Sequence, residues 1–103
     1  MTNNLTAIKE EVSKINSLAM DATQSGIGIG FLDFSGHVKK IYVRIFPAGS
    51  KWVEVEGEAY PVAVFHREAY TDPDSNESLP QLCKLRYELE IFLAEREAKG
   101  EAA

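Results

Sequence analysis

Two histidines, one cysteine and a scatter of carboxylates are the side chains of this sequence best suited to chemistry. Neither His37 nor His66 has a carboxylate or cysteine at metal-ligand spacing, so neither opens a zinc or hydrolase motif. Asp72, Asp74 and Asn76 alternate as in a calcium loop. Such a loop needs a glycine at its sixth position and a closing glutamate at its twelfth. Here those positions hold Glu77 and Cys83. A solvated turn with no metal is the expectation. Cys83 falls on an apolar helical stripe and is expected to pack as a small core residue. One thiol excludes an internal disulfide and a cysteine-cluster zinc site. Ser35 lacks the Gly-x-Ser-x-Gly setting of a nucleophile elbow. Glu54, Glu56 and Glu58 read as the charged edge of a strand. Gly26, Gly28 and Gly30 match the first spacing of a dinucleotide fingerprint. Asp33 stands where the third glycine belongs, however, and the pattern continues as a strand. No catalytic residue and no cofactor is assigned. An enzyme on this scaffold would need a cleft in which His37 or His66 meets a carboxylate.

A different set of residues stands out as a binding surface: Phe31, Lys40, Tyr42, Arg44, Phe46 and Trp52. Strand alternation brings them to one face of a sheet. Aromatic rings interleaved with arginine are what interface hot spots and stacking pockets are made of. The same set suits a base or an anionic ligand through stacking and guanidinium contacts. It also suits plain core, if the chain's own 60–66 stretch or a helix covers it.

These residues must be held by a small structure. A chain of 103 residues makes one domain with a modest core. Its 45% hydrophobic content fits a folded chain, with fraying expected at 1–3 and 98–103. A net charge of −5 argues against general nucleic-acid binding, which needs a basic surface. It argues equally against an anionic membrane as partner. No apolar run approaches the roughly 20 residues of a membrane-spanning helix. The start, MTNNLTAIKEE, lacks the basic end and apolar run of a secretory signal, so a cytoplasmic chain is expected.

The pattern predicts an amphipathic helix over 3–23. Leu5, Ile8, Val12, Ile15, Leu18 and Ala22 form its stripe, and Glu11 lies on the polar side. The stripe suits a core-facing helix or, by its heptad-like spacing, a dimerising one. Gly26 is placed to cap the helix end. Strands follow at about 26–34 and 37–46, joined by a tight turn at Ser35-Gly36. That turn sets Phe34 opposite His37 and Gly30 opposite Ile41. One face then carries the glycines beside Ile41, Val43 and Ile45, leaving room for a helix. The other carries Ile29, Phe31 and Asp33 beside Lys40, Tyr42, Arg44 and Phe46. A third strand is expected over 52–57, pairing Arg44 with Glu54. A fourth is expected from Pro61 to His66, with Tyr60, Val62, Val64 and His66 on one face. A mobile polar loop, 71–78, leads into a last helix over about 79–98, with Ser78 as N-cap and Pro80 in the first turn. Leu82, Leu85, Leu89, Phe92 and Leu93 form one stripe of that helix. Cys83, Tyr87, Ile91, Ala94 and Ala98 form a second, which needs the first helix or another subunit to cover it.

The expected architecture is thus α+β: a helix, a four-stranded antiparallel meander, and a C-terminal helix packed on one sheet face. This plan, in a short acidic chain, is similar to small phage-encoded accessory proteins. They include those of the Thoeris anti-defence type, which soak up cyclic-nucleotide signals of bacterial immunity. The similarity is one of architecture, and no binding residues follow from it. Two roles are carried forward. One is a non-enzymatic homo-oligomeric interaction protein that contacts itself or a protein partner. The other, which the resemblance implies, is a sponge for a cyclic-nucleotide or ADP-ribose-type anion.

Overall fold

The computed structural model describes residues 4–50 and 61–99. Along them run α1 (Asn4–Gln24), β1 (Gly28–Ser35), β2 (Lys40–Pro47), β3 (Phe65–Tyr70) and α2 (Ser78–Ala98). The fold is α+β, with three antiparallel strands in the order β1-β2-β3. Both helices lie on the same sheet face. Their apolar stripes meet Ile41, Val43 and Ile45, all fully buried, and with Phe65 and Ala69 these make one core.

α1 ends where Gly26 adopts a positive φ of 81°. Ile27 donates its N–H to the Ala22 carbonyl at 3.0 Å, and Gly26 donates to the Thr23 carbonyl at 3.2 Å. This double closure satisfies the last carbonyls and turns the chain straight back into β1. On this shared face the glycines of β1 receive α1, while α2 packs beside it against β3. A three-residue link lays the first helix along its own next strand. A Cβ on Gly30 would lie 2.5 Å from the Ala19 carbonyl oxygen, so only glycine lets the helix come this near. The Thr23 hydroxyl holds the contact. It donates to the Ala19 carbonyl at 3.4 Å and accepts the Gly30 N–H at 2.9 Å.

The hairpin turns through four residues, 36–39, with Lys39 at φ 51°. It does not turn through Ser35-Gly36 alone. Phe34 pairs with Ile41 and Gly30 with Ile45, four positions from the expected register. An even shift preserves which side chains share a face, so both faces have the composition read from the alternation.

The strand expected over 52–57, with its Arg44–Glu54 pair, lies outside the described residues. The second edge of β2 is taken by β3, with Ile45 opposite Phe65 and Ile41 opposite Ala69. β3 begins near the end of the stretch expected to be a strand and runs through Arg67-Glu68-Ala69-Tyr70. Among the described residues β3 is the last strand of the sheet, a position at which such charges are tolerated. Val62 and Val64 precede it and are exposed.

α2 buries Leu82, Leu85, Leu89 and Leu93 and half-buries Phe92, as its first stripe requires. Ser78 does not cap it. Its buried hydroxyl turns back to donate to the Asp72 carbonyl at 2.7 Å. The polar loop before it is laced by further bonds: Asp74 N–H to the Asp72 carboxylate at 3.0 Å, and Glu77 N–H to the Ser75 hydroxyl at 3.2 Å. α1 presents Ile8, Glu11, Ile15, Ala19 and Ala22 inward, a stripe rotated from the expected one. Val12 and Leu18 are half-buried and Leu5 is exposed. The rotation buries a carboxylate. Glu11 accepts from the Arg86 guanidinium on α2 at 2.6 Å and from Lys14 at 3.2 Å, and Arg86 also reaches Glu90 at 3.2 Å. The Arg86 hydrogen bond holds the Glu11 carboxyl below its ordinary range, against the opposing effect of burial.

Two outcomes follow. Gly30→Ala is expected to lower the unfolding free energy by about 2–3 kcal/mol, because a backbone carbonyl must move to admit the methyl; urea titration reads this. For Glu11 the folded pKa is depressed, so its contribution is complete above the unfolded value and disappears as pH falls through the folded one. Wild type is therefore expected to lose stability on acidification below about pH 4.5. Glu11→Gln should be less stable at pH 7, by on the order of 2 kcal/mol, with a flatter acid limb. Parallel acid limbs for the two proteins would contradict this.

Candidate functional site

The sheet face turned away from both helices carries most of the residues picked out by alternation. Phe31 lies opposite Arg44, Asp33 opposite Tyr42, and Ile29 opposite Phe46. β3 adds His66 beside Arg44, Glu68 beside Tyr42, and Tyr70 beside Lys40. Phe31, Lys40, Tyr42, Arg44 and Phe46 are thus brought onto one surface. Trp52 lies outside the described residues. An antiparallel sheet can leave one face to water, and such a face ordinarily alternates to polar side chains. This one holds Ile29, Phe31, Tyr42, Phe46 and Tyr70 among its charges. Phe46 is buried, and its ring meets Phe31 edge to face at 5.8 Å.

Both cations of the surface hold carboxylates. Arg44 donates to Asp33 at 2.6 Å across the hairpin diagonal. Its Nε is enclosed and has no hydrogen-bond partner among the described residues. Lys40 donates to Glu68 at 3.1 Å, also diagonally, and its ammonium sits 4.7 Å from the centre of the Tyr70 ring. The Glu68 hydrogen bond raises the Lys40 pKa above its ordinary value. A pair of neutralised cations set among rings is suited to flat, semi-polar contact. It is poorly suited to concentrating negative charge, since each positive group already has its counter-ion.

Nothing among the described residues assembles catalytic machinery. His37 lies exposed in the hairpin turn, and neither His37 nor His66 hydrogen-bonds or ion-pairs with a carboxylate of the described residues. The described residues contain no group of three or more His, Cys, Asp or Glu placed to hold a metal ion. Cys83 is half-buried and free, more open than a core position. No described helix is long and apolar enough to cross a membrane.

No family model, curated protein or solved structure matches the chain. The case for a site therefore rests on its own geometry.

Sequence reasoning left Asp33, His66, Glu68 and Tyr70 out of the binding set. Asp33 was within reach, because it shares the face of Arg44 and diagonal neighbours of opposite charge meet across an antiparallel pair. The β3 residues depended on a strand whose limits were set too early in the chain. A double-mutant cycle on Asp33 and Arg44 is expected to give a coupling of about 0.2–1 kcal/mol that shrinks in 1 M salt, as for an exposed pair. A coupling of several kcal/mol, indifferent to salt, would assign the pair a larger structural role.

Proposed function

We propose that this protein is a small non-enzymatic interaction protein that works as a homo-oligomer. The observation that carries this reading is the second stripe of α2. Tyr87 is 63% exposed and Ile91 40% exposed on the side away from the core leucines. Phe34 and Leu5 stand out at the α1–β1 flank in the same way, lining an apolar groove of about 430 Å³ with Val12 and Leu32. Scattered single apolar residues are normal on a surface. A helical stripe and an aromatic-lined groove on a domain of this size are more than scatter. The face bearing Phe31, Lys40, Tyr42, Arg44 and Phe46 supplies the aromatic and arginine content typical of contact surfaces.

Protein contact draws more support than capture of a cyclic-nucleotide or ADP-ribose-type anion. Lys40 and Arg44 each hold a carboxylate, which an anion would have to displace.

Light scattering at tens of micromolar tests the reading. A mass of at least two chains is expected. The double variant Tyr87→Ser, Ile91→Ser should shift the population toward one chain while keeping the helical signal, since its substitutions leave the buried leucines untouched. A wild-type chain that scatters as a monomer throughout would overturn the proposal.

A further inference from the structure

The pairing register settles where each backbone group of β3 points. Thr71 donates its N–H to the Lys39 carbonyl at 2.8 Å, so the odd positions of the strand turn toward β2 and the even ones outward. Both ends of the outer edge are already engaged. The Tyr70 N–H goes to the Gln81 side chain at 3.0 Å. Val64, just ahead of the strand, is turned inward and donates to the Ile45 carbonyl at 2.8 Å. Between them, His66 and Glu68 direct their N–H and C=O groups away from the sheet with no strand beside them among the described residues, and the His66 carbonyl accepts one bond from the Arg67 guanidinium at 2.8 Å. The opposite edge differs, since at β1 the Gly30 N–H is taken by Thr23. An unpaired edge is a template for another strand.

We infer that the edge of β3 pairs with β3 of a second copy, antiparallel about a two-fold axis at Arg67, making one continuous six-stranded sheet. This rests on the self-association proposed above and gives it a specific contact. Three registers bring outward positions together. An axis at His66 sets Glu68 against Val64, whose N–H is spent. An axis at Glu68 sets two carboxylates face to face and His66 against Tyr70, whose N–H is also spent. An axis at Arg67 sets His66 against Glu68 in both directions, joining two outward N–H groups to two outward carbonyls; the His66 carbonyl, with two lone pairs, keeps its bond from the Arg67 guanidinium while accepting the second. This register forms roughly four backbone hydrogen bonds. It also places an imidazole beside a carboxylate twice, on the face away from the helices.

The remaining charges fit this arrangement. The two Arg67 side chains meet near the axis on the helix side. Each is held by Glu88 of its own α2 at 3.3 Å and lies 4.8 Å from its own Phe65 ring, so neither faces the other as a bare charge. Glu68 keeps Lys40 on one side and has its second carboxylate oxygen for the new partner. A groove of about 490 Å³ between β3 and α2, lined by Arg67, Gln81, Lys84 and Glu88, leaves space beside the edge. A second groove of about 370 Å³ continues along it past Val64 and Ile91. The second copy would therefore cover part of the exposed stripe of α2 as well as the strand.

Two variants of the full chain, measured alongside its mass, test the inference. His66→Pro removes an N–H that points away from β2, so the subunit keeps its own ladder while the joint between copies is broken. The dimer dissociation constant is expected to rise by about tenfold or more, with the helical signal unchanged. Arg67→Cys, in a Cys83→Ser background, places two thiols at a non-hydrogen-bonded pair. The Cα atoms there are about 4.5 Å apart, within disulfide reach. Mild oxidation should give a covalent dimer that sediments as the wild-type dimer does. If His66→Pro fails to fold, the cross-link decides alone. An oligomer that neither cross-links at position 67 nor weakens with His66→Pro overturns the edge pairing and leaves self-association standing. A wild-type monomer overturns both.

Discussion

The contact between Gly30 and the Ala19 carbonyl organises this protein. One missing side chain lets α1 lie against β1 at backbone distance. With α1 seated there, the rest of that sheet face is left to α2, which settles over β3. Helix and sheet then bury Ile41, Val43 and Ile45 between them, each contributing about 1.5–3 kcal/mol relative to exposure. The opposite face receives neither helix. The surface proposed for contact thus exists because both helices are committed elsewhere, and a bulkier residue at position 30 would disturb all of this together.

The second constraint is electrostatic. Glu11 sits among apolar neighbours at 7% exposure and is tolerable there because Arg86 meets it at 2.6 Å. A buried pair of this kind adds little net stability, because desolvation offsets much of the attraction. The pair joins α1 to α2 at the rotation in which Glu11, not Val12, is buried. Leu5 is left outside by the same rotation, which helps to open the apolar groove beside Phe34.

The sequence made the faces of the sheet legible and concealed its joints. Alternation grouped Gly30 with Ile41, Val43 and Ile45, and Phe31 with Lys40, Tyr42, Arg44 and Phe46. Both groupings survive a hairpin whose turn is two residues longer than the Ser35-Gly36 reading. They survive because period-two patterns are blind to even slips, and for the same reason the pattern alone cannot identify the turn. The cap at Gly26 was readable because a positive φ demands glycine locally. The charges of Arg67 and Glu68 disguised β3, since they give it the polarity of a loop. The inward turn of Glu11 could not be read at all, because its partner lies 75 residues away and no local pattern reports it. Trp52 was grouped with the binding face by alternation along 52–57, outside the described residues.

α1 and α2, the first and last elements described, lean on one another through Glu11 and Arg86. On a chain synthesised from its N-terminus, α1 and the hairpin emerge well before the leucines that complete their core. Until Leu82, Leu85, Leu89 and Leu93 arrive, Ile8, Ile15 and the underside of the sheet stay uncovered. Such half-built intermediates, with greasy faces and bare strand edges, are open to chaperones and to aggregation. Burial of the core by neighbours so far apart along the chain also slows closure, because the long loop between them must be ordered first. A small protein of this topology thus gathers its cohesion late, as its final helix docks.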